Sequence, residues 1–486
     1  MKADVDQAAL PGKASAMAEE RLRAGRLEQY VSNELVVSYP DLRLVQAKLT
    51  ELDVTYDLEV SRALDLACLQ LNDFTTVERR VERHSEQFGL DHPDLRRQLD
   101  SDRDGHVNEL DLLLEALRRS FRREYGGWTP TMGKNRVVQG TAGQEIPVGL
   151  AVGEYVIGHG GDGPPRPAPL PTSWTRRTGS NSHVARVGIL DTPLVEHPLL
   201  RGAYFGADGN AVEPEERGTP RNWRAGHATF VAGLIRRQAP YAELVVKPVL
   251  GSETGTADTW SVANAIVEFA RFDVDILNLS LGCFTDDGRA PLVLERALSR
   301  LGPEIVVVAA AGNHGSIEQD LQRHLEEDPE LHDRYGGQVE RPMVVSKAPM
   351  WPAAFDGVMA VGASKGPDTR VRADFSPDLP WVRLIAPGVD QVSTYLDGKV
   401  EGLERDFPDA TDLETSFGGS AAWSGTSYAA ANVSGVIAAG TLPGRRSARA
   451  VLDGLLHPPH DPDGYGEAGA PGSTPGAPPF VKLARR

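Results

Sequence analysis

Residues 304–312 have the sequence EIVVVAAAG, a continuous apolar run that ends at a glycine. Helix-like stretches such as GHATFVAGLIRRQ (226–238) separate this run from others of the same kind. The others are VARVGIL (184–190), AELVVKPVL (242–250), VDILNLSLG (274–282) and GVMAVGA (357–363). Strands that are apolar throughout are typical of a parallel sheet covered on both faces. This part of the chain is therefore predicted to form an α/β fold with a doubly wound, mostly parallel sheet.

The region before residue 90 predicts a smaller unit of a different kind. Its elements alternate between strand-like and helix-like patterns: NELVVSY (33–39), PDLRLVQAKLTEL (40–52), DVTYDLEV (53–60), LDLACLQL (64–71) and FTTVERRVERHSEQFG (74–89). The first of these is typical of a strand, and the third and fourth show the period of two of half-buried strands, whereas the second and fifth are predicted helices. The order β-α-β-β-α predicts a small α+β domain.

Composition divides the chain into six predicted segments. They are a polar N-terminal segment (1–30), the α+β domain (31–90), an acidic loop with a helix (91–125), a linker (126–183), the α/β domain (184–456) and a Pro/Gly-rich tail (457–486). Within the linker, GHGGDGPPRPAPLPTSWTRRTGSNS (158–182) is rich in Gly, Pro and Ser. Such stretches are preferred sites of proteolytic cleavage, so the linker is also a predicted processing region.

Charge and cysteine content exclude several classes of protein. The chain has 51 basic and 68 acidic residues and a net charge of −17, which disfavours a nucleic-acid partner. Cys68 and Cys283 are far apart in sequence, and neither has neighbours that would suggest a disulfide framework or a zinc site. No segment has the apolar pattern of a secretory signal or a membrane helix. These observations predict a cytoplasmic protein without a membrane partner, and they leave its oligomeric state open.

Four polar residues lie where a predicted strand ends or a predicted helix begins. They are Asp191 in VGILD, His227 in GHATFVAG, Asn313 after AAAG, and Ser427 in SGTSYAAANVSG (424–435). Each alone indicates only a cap or a turn. Because functional residues of a parallel sheet gather beyond the carboxyl ends of its strands, we expect the four side chains to meet there. A carboxylate, an imidazole, an amide and a hydroxyl are the groups that nucleophilic catalysis by serine requires.

The order Asp, His, Asn, Ser and the motifs around it resemble the subtilisin family of serine proteases. The matching motifs are VGILDTPL, GHATFVAG, NLSLG, AAAGN, ADFSPDLPWVRLIAPGVDQVST and SGTSYAAANVSG, which span roughly residues 184–440. The resemblance implies a subtilisin-like sheet preceded by a small propeptide-like α+β domain. It also implies that the protein is a serine endopeptidase and that a protein or peptide substrate binds as an extended strand.

The resemblance assigns a role to each residue of the set. His227 would take the proton of Ser427, Asp191 would orient His227, and Asn313 with the Ser427 N–H would stabilise the oxyanion. The walls of the substrate cleft would be Ser280, Leu281 and Gly282 on one side and Ala310, Ala311 and Gly312 on the other. The sequence departs from the family at Pro193, at Ala228 and in the helix after Ser427, which lacks the usual proline. None of these departures removes a catalytic atom.

Two charged insertions lie next to these motifs, at residues 314–349 and 396–420. They predict either a narrowed cleft that selects its substrate or solvated surface loops.

The acidic stretch DSDRDGHVNELD (100–111) resembles an EF-hand or dockerin-type calcium loop. Asp100, Asp102 and Asp104 are at alternating positions, Gly105 allows the sharp turn, and Val107 is the apolar anchor. The other predicted ligands are the His106 carbonyl, Asn108 through water, and Asp111, where a Glu is usual. The alternative to a calcium site is an acidic turn that caps the helix after it.

Three hypotheses follow. The first is a latent endopeptidase, held inactive by its N-terminal region, altered by calcium and released by self-cleavage within residues 126–182. In the second, the peptidase is always active and its N-terminal domain selects substrates. The third is a catalytically weak or inactive, calcium-responsive binding or regulatory protein on a protease scaffold.

Overall fold

The computed structural model describes most of the chain between residues 28 and 457. The described residues are 28–73, 76–84, 109–141, 144–149, 154–160, 163–172, 184–204, 212–214, 219–317, 346–366, 370–407, 415–457 and 480–481.

The strands and helices are numbered in chain order. The strands are β1 (Tyr30–Ser38), β2 (Tyr56–Ser61), β3 (Leu66–Leu71), β4 (Met132–Gly140), β5 (Gln144–Gly149), β6 (Glu154–Gly160), β7 (Arg166–Pro167), β8 (Arg186–Asp191), β9 (Leu194–Val195), β10 (Val212–Glu213), β11 (Arg221–Asn222), β12 (Glu243–Pro248), β13 (Thr256–Asp258), β14 (Ile276–Leu279), β15 (Leu281–Gly282), β16 (Val306–Ala310), β17 (Met359–Ser364), β18 (Leu384–Pro387), β19 (Gln391–Glu401) and β20 (Ser416–Trp423). The helices are α1 (Leu42–Glu51), α2 (Val77–Arg83), α3 (Glu109–Glu124), α4 (His227–Gln238), α5 (Thr259–Glu268), α6 (Leu292–Ser299), α7 (Leu403–Asp406), α8 (Thr426–Gly440) and α9 (Ala448–Leu456).

The central sheet is parallel and has the strand order β12-β8-β14-β16-β17-β18. Its strands are buried along nearly their whole length, as their uninterrupted apolar sequences require. One face packs on α4 and α8, and the other on α5 and α6. Neighbouring residues of one strand, such as Ile189 and Leu190, therefore belong to different cores. The predicted doubly wound sheet is confirmed, and β18 is a further strand that the periodicity did not reveal.

The N-terminal region forms a second, antiparallel sheet. Its strand order is β13-β4-β1-β3-β2, and β15 also pairs with β4. The α+β elements predicted before residue 90 are present, and α3 contributes a buried apolar face to the same core. Two strands of this sheet, β13 and β15, come from the α/β part of the chain, so the two regions share one sheet.

The segment predicted as a linker, 126–183, contains ordered strands. Its first part is β4, which pairs with β1 on one side and extends the α+β unit beyond the predicted boundary at residue 90. It also contains the hairpin β5–β6 and the short strand β7, which pairs with β20. The Gly and Pro residues that predict a linker are concentrated at 158–182, whereas GKNRVVQG (133–140) forms a strand although its sequence does not alternate.

The two regions also share a hydrophobic core. Val36, Leu64 and Leu66 of the N-terminal region belong to the cluster that contains Val262 and Ile266 of α5. Polar contacts cross the same boundary, since the Ser61 hydroxyl donates to Asn264 at 2.6 Å. The N-terminal region is therefore packed firmly onto the α5 side of the central sheet. Among the described residues, no helix is both long enough and apolar enough to cross a membrane.

Candidate active site

Asp191 and His227 meet beyond the carboxyl end of the central sheet. Asp191 is the last residue of β8, and His227 is the first residue of α4. The two side chains are joined by a hydrogen bond of 2.7 Å between His227 Nδ1 and Asp191 Oδ1. The Thr192 N–H also donates to Asp191 Oδ1 at 2.7 Å, and the Thr192 hydroxyl accepts from the Ala228 N–H at 3.1 Å. The end of β8 is thus tied to the first turn of α4, which fixes the carboxylate–imidazole pair.

Aromatic rings enclose the imidazole of His227. The rings of Trp423 and Tyr428 have centroids 5.8 and 5.9 Å from that of His227. Burial raises the pKa of Tyr428 well above its usual range, so its hydroxyl stays protonated. Within the described part of the chain, His227 Nε2 has no hydrogen-bond partner. This nitrogen is therefore available to take a proton.

Ser427 lies in the first turn of α8 and is fully buried. Its hydroxyl was predicted to face His227, but it forms a very short hydrogen bond with the hydroxyl of Thr141 instead. Thr141 directly follows β4 and is also fully buried. The reason for the difference is that a segment of the chain itself covers the serine.

Asn313 contacts the same segment through its amide. Its Nδ2 donates to the backbone carbonyl of Thr141 at 2.6 Å. Its Oδ1 accepts from the N–H and the hydroxyl of Thr426 at 2.9 and 3.0 Å. The side chain is therefore held in one orientation, with its N–H pointed at the carbonyl of the residue whose hydroxyl contacts Ser427.

The chain enters this site as an extended strand. β4 pairs antiparallel with β15 on one side, with Gly140 opposite Leu281, and with β13 on the other, with Val138 opposite Ala257. The Thr141 N–H donates to the Ser280 carbonyl at 3.1 Å, and the Gly140 N–H donates to the Gly255 carbonyl at 2.9 Å. Residues 132–141 thus form the central strand of a three-stranded arrangement that leads to Ser427.

Only one of the two predicted walls pairs with this strand. Ser280, Leu281 and Gly282 make backbone contacts with it, as expected. The opposite backbone neighbour is β13 and not the segment Ala310, Ala311 and Gly312. Ala310 belongs to β16, the Ala311 N–H donates to Val361, and the Gly312 N–H donates to Thr426. The backbone bonds of Ala311 and Gly312 therefore lead to β17 and α8 and not to β4.

Sequence reasoning missed Thr141, β13 and the Thr426 hydroxyl. The run VVQGT (137–141) contains only two adjacent β-branched apolar residues before a Gln and a Gly, which is a weak signal for a strand. No sequence signal shows that this strand ends at Ser427, because that contact depends on how the two sheets join.

The predicted calcium loop falls largely outside the described residues. Asp100, Asp102, Asp104, His106 and Asn108 are all in the stretch 85–108, which is not described. Asp111 lies in the first turn of α3, where its Oδ1 pairs with Lys134 Nζ at 2.6 Å and its Oδ2 accepts from the Tyr30 hydroxyl at 3.0 Å. Both of its oxygens are therefore bonded to other side chains. Among the described residues no cluster of His, Cys, Asp and Glu could hold a metal ion.

The second insertion contacts the active site from one side. It contributes the end of β19, the helix α7 and the start of β20. Asp406 of α7 pairs with the buried Arg224 and accepts from Trp223 Nε1 at 2.7 Å. Since Trp223 and Arg224 belong to the turn that precedes His227, this insertion supports the imidazole rather than forming a solvated loop. Of the first insertion, residues 318–345 lie outside the described part of the chain.

Known proteins resemble the chain over the α/β part. The model of the subtilase family matches residues 183–441. A thermostable alkaline protease of Halalkalibacterium halodurans is 30% identical over 276 residues, which are 55% of this chain and 59% of that protein. The major intracellular serine protease of Bacillus subtilis is 27% identical over 278 residues, 55% of this chain and 71% of that protein. The first of these relatives is thus matched over less than two thirds of its length.

One solved structure with a similar fold is fervidolysin from Fervidobacterium pennivorans, a keratinolytic enzyme related to subtilisin. It has a TM-score of 0.47 and 17% identity to this chain, and the match covers 86% of this chain and 55% of fervidolysin.

Proposed function

The chain belongs to the subtilase family, and on this basis we propose that it is a serine endopeptidase that hydrolyses peptide bonds. The proposed catalytic residues are Asp191, His227 and Ser427, with Asn313 as the oxyanion donor. The hydrogen bond of 2.7 Å between His227 and Asp191 supports the roles of base and orienting acid. The free Nε2 of His227 and the position of Ser427 at a helix N-terminus support the role of nucleophile.

The chemistry follows from these four residues. Ser427 Oγ attacks the carbonyl carbon of the substrate while His227 Nε2 takes its proton, and Asp191 stabilises the imidazolium that forms. Asn313 Nδ2 donates to the developing oxyanion, and the Ser427 N–H is a second predicted donor. His227 then gives the proton to the leaving amine. A water molecule, deprotonated by His227, hydrolyses the ester on Ser427 and restores the free hydroxyl.

The observation that carries the proposal is the position of Thr141. Its carbonyl oxygen is 2.6 Å from the amide nitrogen of Asn313, and its hydroxyl touches that of Ser427. A substrate carbonyl would need the same Asn313 donor and would have to lie beside Ser427, the two residues that Thr141 contacts through its carbonyl and its hydroxyl. We therefore infer that the protein is made as a latent precursor in which residues 132–141 occupy the cleft as a substrate does. The bond to be cut is the one between Thr141 and Ala142.

The same strand supports a mode of substrate recognition. A protein or peptide substrate would replace residues 137–141 between β13 and β15 and would bind as an extended strand. Backbone hydrogen bonds such as those of Thr141 and Gly140 give affinity that is independent of sequence, and side-chain pockets add preference. A peptidase that was open at all times would leave this strand elsewhere, so the contacts favour latency over constitutive activity.

Calcium binding at residues 100–111 stays a proposal that rests on the sequence pattern. Asp111 does not fit this proposal in its present position, because Lys134 and Tyr30 bind both of its oxygens. The proposed mechanism accordingly uses no calcium. If the loop binds the ion, calcium should raise the unfolding temperature of Ser427→Ala, and the further change Asp102→Asn should abolish the rise. An equal rise in both chains would contradict the proposal.

We propose a cytoplasmic location for the protein, and a protein or peptide substrate as its partner. The relative from Bacillus subtilis is named an intracellular protease, which agrees with the predicted cytoplasmic location. The alternative of an inactive binding protein gains no support, since the acid, base, hydroxyl and amide are all retained, with the acid paired to the base and the amide and hydroxyl both in contact with Thr141.

A fluorophosphonate probe tests the proposed function directly, because it reacts with a serine only when a base activates it. The full chain is incubated until any self-cleavage is complete and is then labelled. Ser427 is expected to carry the label in the wild type, and labelling should be absent in Ser427→Ala and lost in His227→Ala. Equal labelling of wild type and His227→Ala would contradict the proposed mechanism.

A further inference from the structure

Two glycines face each other across the space next to Ser427. Gly282 is in β15, and Gly312 directly precedes Asn313. A methyl group on Gly282 would overlap Met350 Cε, and one on Gly312 would overlap Met350 Sδ. The side chain of Met350 therefore reaches from one glycine to the other and fills the space between them. It is completely buried.

Further side chains hold Met350 in this position. Met350 forms a small core with Phe284 and Ala348, against which Trp381 packs. The ring of His314 lies edge-on to Phe284 with a centroid distance of 5.0 Å, and a Cβ on Gly312 would lie 2.8 Å from His314 Nδ1. Burial lowers the pKa of His314 to about 4, so this group is neutral at pH 7. Among the described residues, the space between the two glycines is thus occupied by the uncharged side chain of Met350, with a neutral His314 beside it.

The residue seated in front of this space has a small side chain. Thr141 is fully buried, and its hydroxyl points back to Ser427 and to the Ser280 carbonyl at 3.4 Å. Thr141 contacts Ser280, and Met350 contacts Gly282 two residues further along the same wall. A larger side chain at position 141 that extends along this wall would meet Met350. A Leu or Phe here would need that space.

We propose that Met350 determines specificity by filling the pocket for the residue whose carbonyl is attacked, so that cleavage is restricted to substrates with a small residue there, such as Thr or Ala. The inference rests on the proposed peptidase function. Protein interiors are closely packed, and an added ring or isobutyl group forces neighbours to move. Methionine is unbranched and adaptable, so it should slow the cleavage of substrates with a large residue at this position rather than abolish it.

Peptide substrates test the restriction on the full chain after self-cleavage is complete. The series is Val-Val-Gln-Gly-X with a chromogenic amide, where X is Thr, Ala, Leu or Phe, and its first four residues copy residues 137–140. For the wild type, kcat/KM is expected to be at least about 10-fold higher for Thr and Ala than for Phe. Met350→Ala should lower this ratio by about 10-fold or more. The matched control Met359→Ala, which removes a buried methionine from β17, should leave the ratio unchanged.

Self-cleavage provides a second test that does not depend on added peptides. Thr141→Phe should slow cleavage of the full chain at position 141 by about 10-fold or more, and adding Met350→Ala should restore it. Simple destabilisation by Met350→Ala would not produce such a rescue. A chain that carries Thr141→Phe and is cut as fast as the wild type would overturn the proposal.

The outcomes separate the two proposals. A wild type that is labelled by the fluorophosphonate and cleaves the Phe peptide as well as the Thr peptide overturns the role of Met350 alone. A wild type that is not labelled and cleaves no peptide overturns the peptidase function and the role of Met350 with it.

Discussion

The side-chain amide of Asn313 forms hydrogen bonds through both its nitrogen and its oxygen. Its Nδ2 donates to the Thr141 carbonyl, while its Oδ1 is held by the N–H and the hydroxyl of Thr426. The amide is therefore oriented before a substrate arrives, and little reorganisation is needed as charge develops. This arrangement makes Asn313 more important for the rate than for binding.

The change Asn313→Ala should lower kcat by about 100- to 1000-fold and change KM little, which is the loss known for removal of such a donor in subtilisin itself. Steady-state hydrolysis of the Thr peptide gives both constants. Asn264→Ala, at the contact with Ser61, is the control and should change kcat only slightly. A rise in KM with unchanged kcat would show that Asn313 only binds substrate.

His314 predicts a pH dependence of stability. Its pKa is about 4 in the folded protein because of burial, below the ordinary value of 6.5. Between pH 6.5 and pH 4 the unfolded chain binds a proton at His314 and the folded chain does not, so a fall in pH favours unfolding. The contribution of His314 to the free energy of unfolding is therefore complete above about pH 6.5 and is lost as the pH falls towards 4. The loss amounts to about 3 kcal/mol.

This dependence is measured as the free energy of unfolding in urea at pH 7 and pH 4, in chains that carry Ser427→Ala. His314→Asn removes the titrating group, so the stability of this variant relative to its parent should rise by about 3 kcal/mol between pH 7 and pH 4. Parallel pH profiles for the two chains would show that His314 is not neutral when folded.

The residues of the site differ in how far sequence could predict them. Asp191, His227, Asn313 and Ser427 each lie at or just beyond the end of a strand or at the start of a helix within a recognisable motif. The structure pairs Asp191 with His227, and it brings Asn313 and Ser427 to the same residue, Thr141. Thr141 and Met350 carry no such motif. Their positions follow from the contact of β4 with β13 and β15 and from the packing between two glycines, and neither is encoded in local periodicity.

Among the elements, β4 links the N-terminal region to the cleft. Asn135, in the middle of this strand, donates to Glu34 Oε2 at 2.6 Å and to Asp258 Oδ1 at 3.0 Å. Its own oxygen accepts from the Thr259 hydroxyl and the Trp260 N–H at the start of α5. The pKa of Glu34 is raised, because its carboxylate is buried in this contact and is removed from water.

Asn135→Leu should therefore destabilise the Ser427→Ala chain by about 2–4 kcal/mol, because buried polar groups lose their partners. Urea unfolding followed by tryptophan fluorescence measures the change. The control is Arg166→Ala. This change removes the exposed ion pair that Arg166 of β7 forms with Asp390, and it should lower the free energy of unfolding by less than about 1 kcal/mol. Equal stability of the two variants would mean that Asn135 does not fasten the strand.

Element by element, the helices were predictable because burial of one face imposes a period of 3.6 on the sequence. The central strands were predictable because burial on both faces requires continuous apolar runs. The helix predicted at 108–125 is observed as Glu109–Glu124, and the strand predicted at 64–71 as Leu66–Leu71. The region 126–183 was not predictable in the same way. β4 is partly polar, and it is stabilised by neighbours that are more than 100 residues away in sequence.

At the scale of the whole molecule, one chain supplies both the proposed catalytic groups and the strand β4, which leads to Thr141 beside Ser427. The shared core of the two regions and the paired backbones keep that strand in place. Cutting the bond after Thr141 would leave the N-terminal part held only by noncovalent contacts. Its departure would then open the cleft, so the same contacts would set both the site of self-cleavage and the delay before other substrates are cut.

The intact mass of the purified full chain tests this account most directly. The account predicts that the wild type converts into two fragments, one ending at Thr141 and one beginning at Ala142, whereas Ser427→Ala stays intact under the same conditions. A wild type that stays intact, a first cut elsewhere, or the same cut in Ser427→Ala would contradict it.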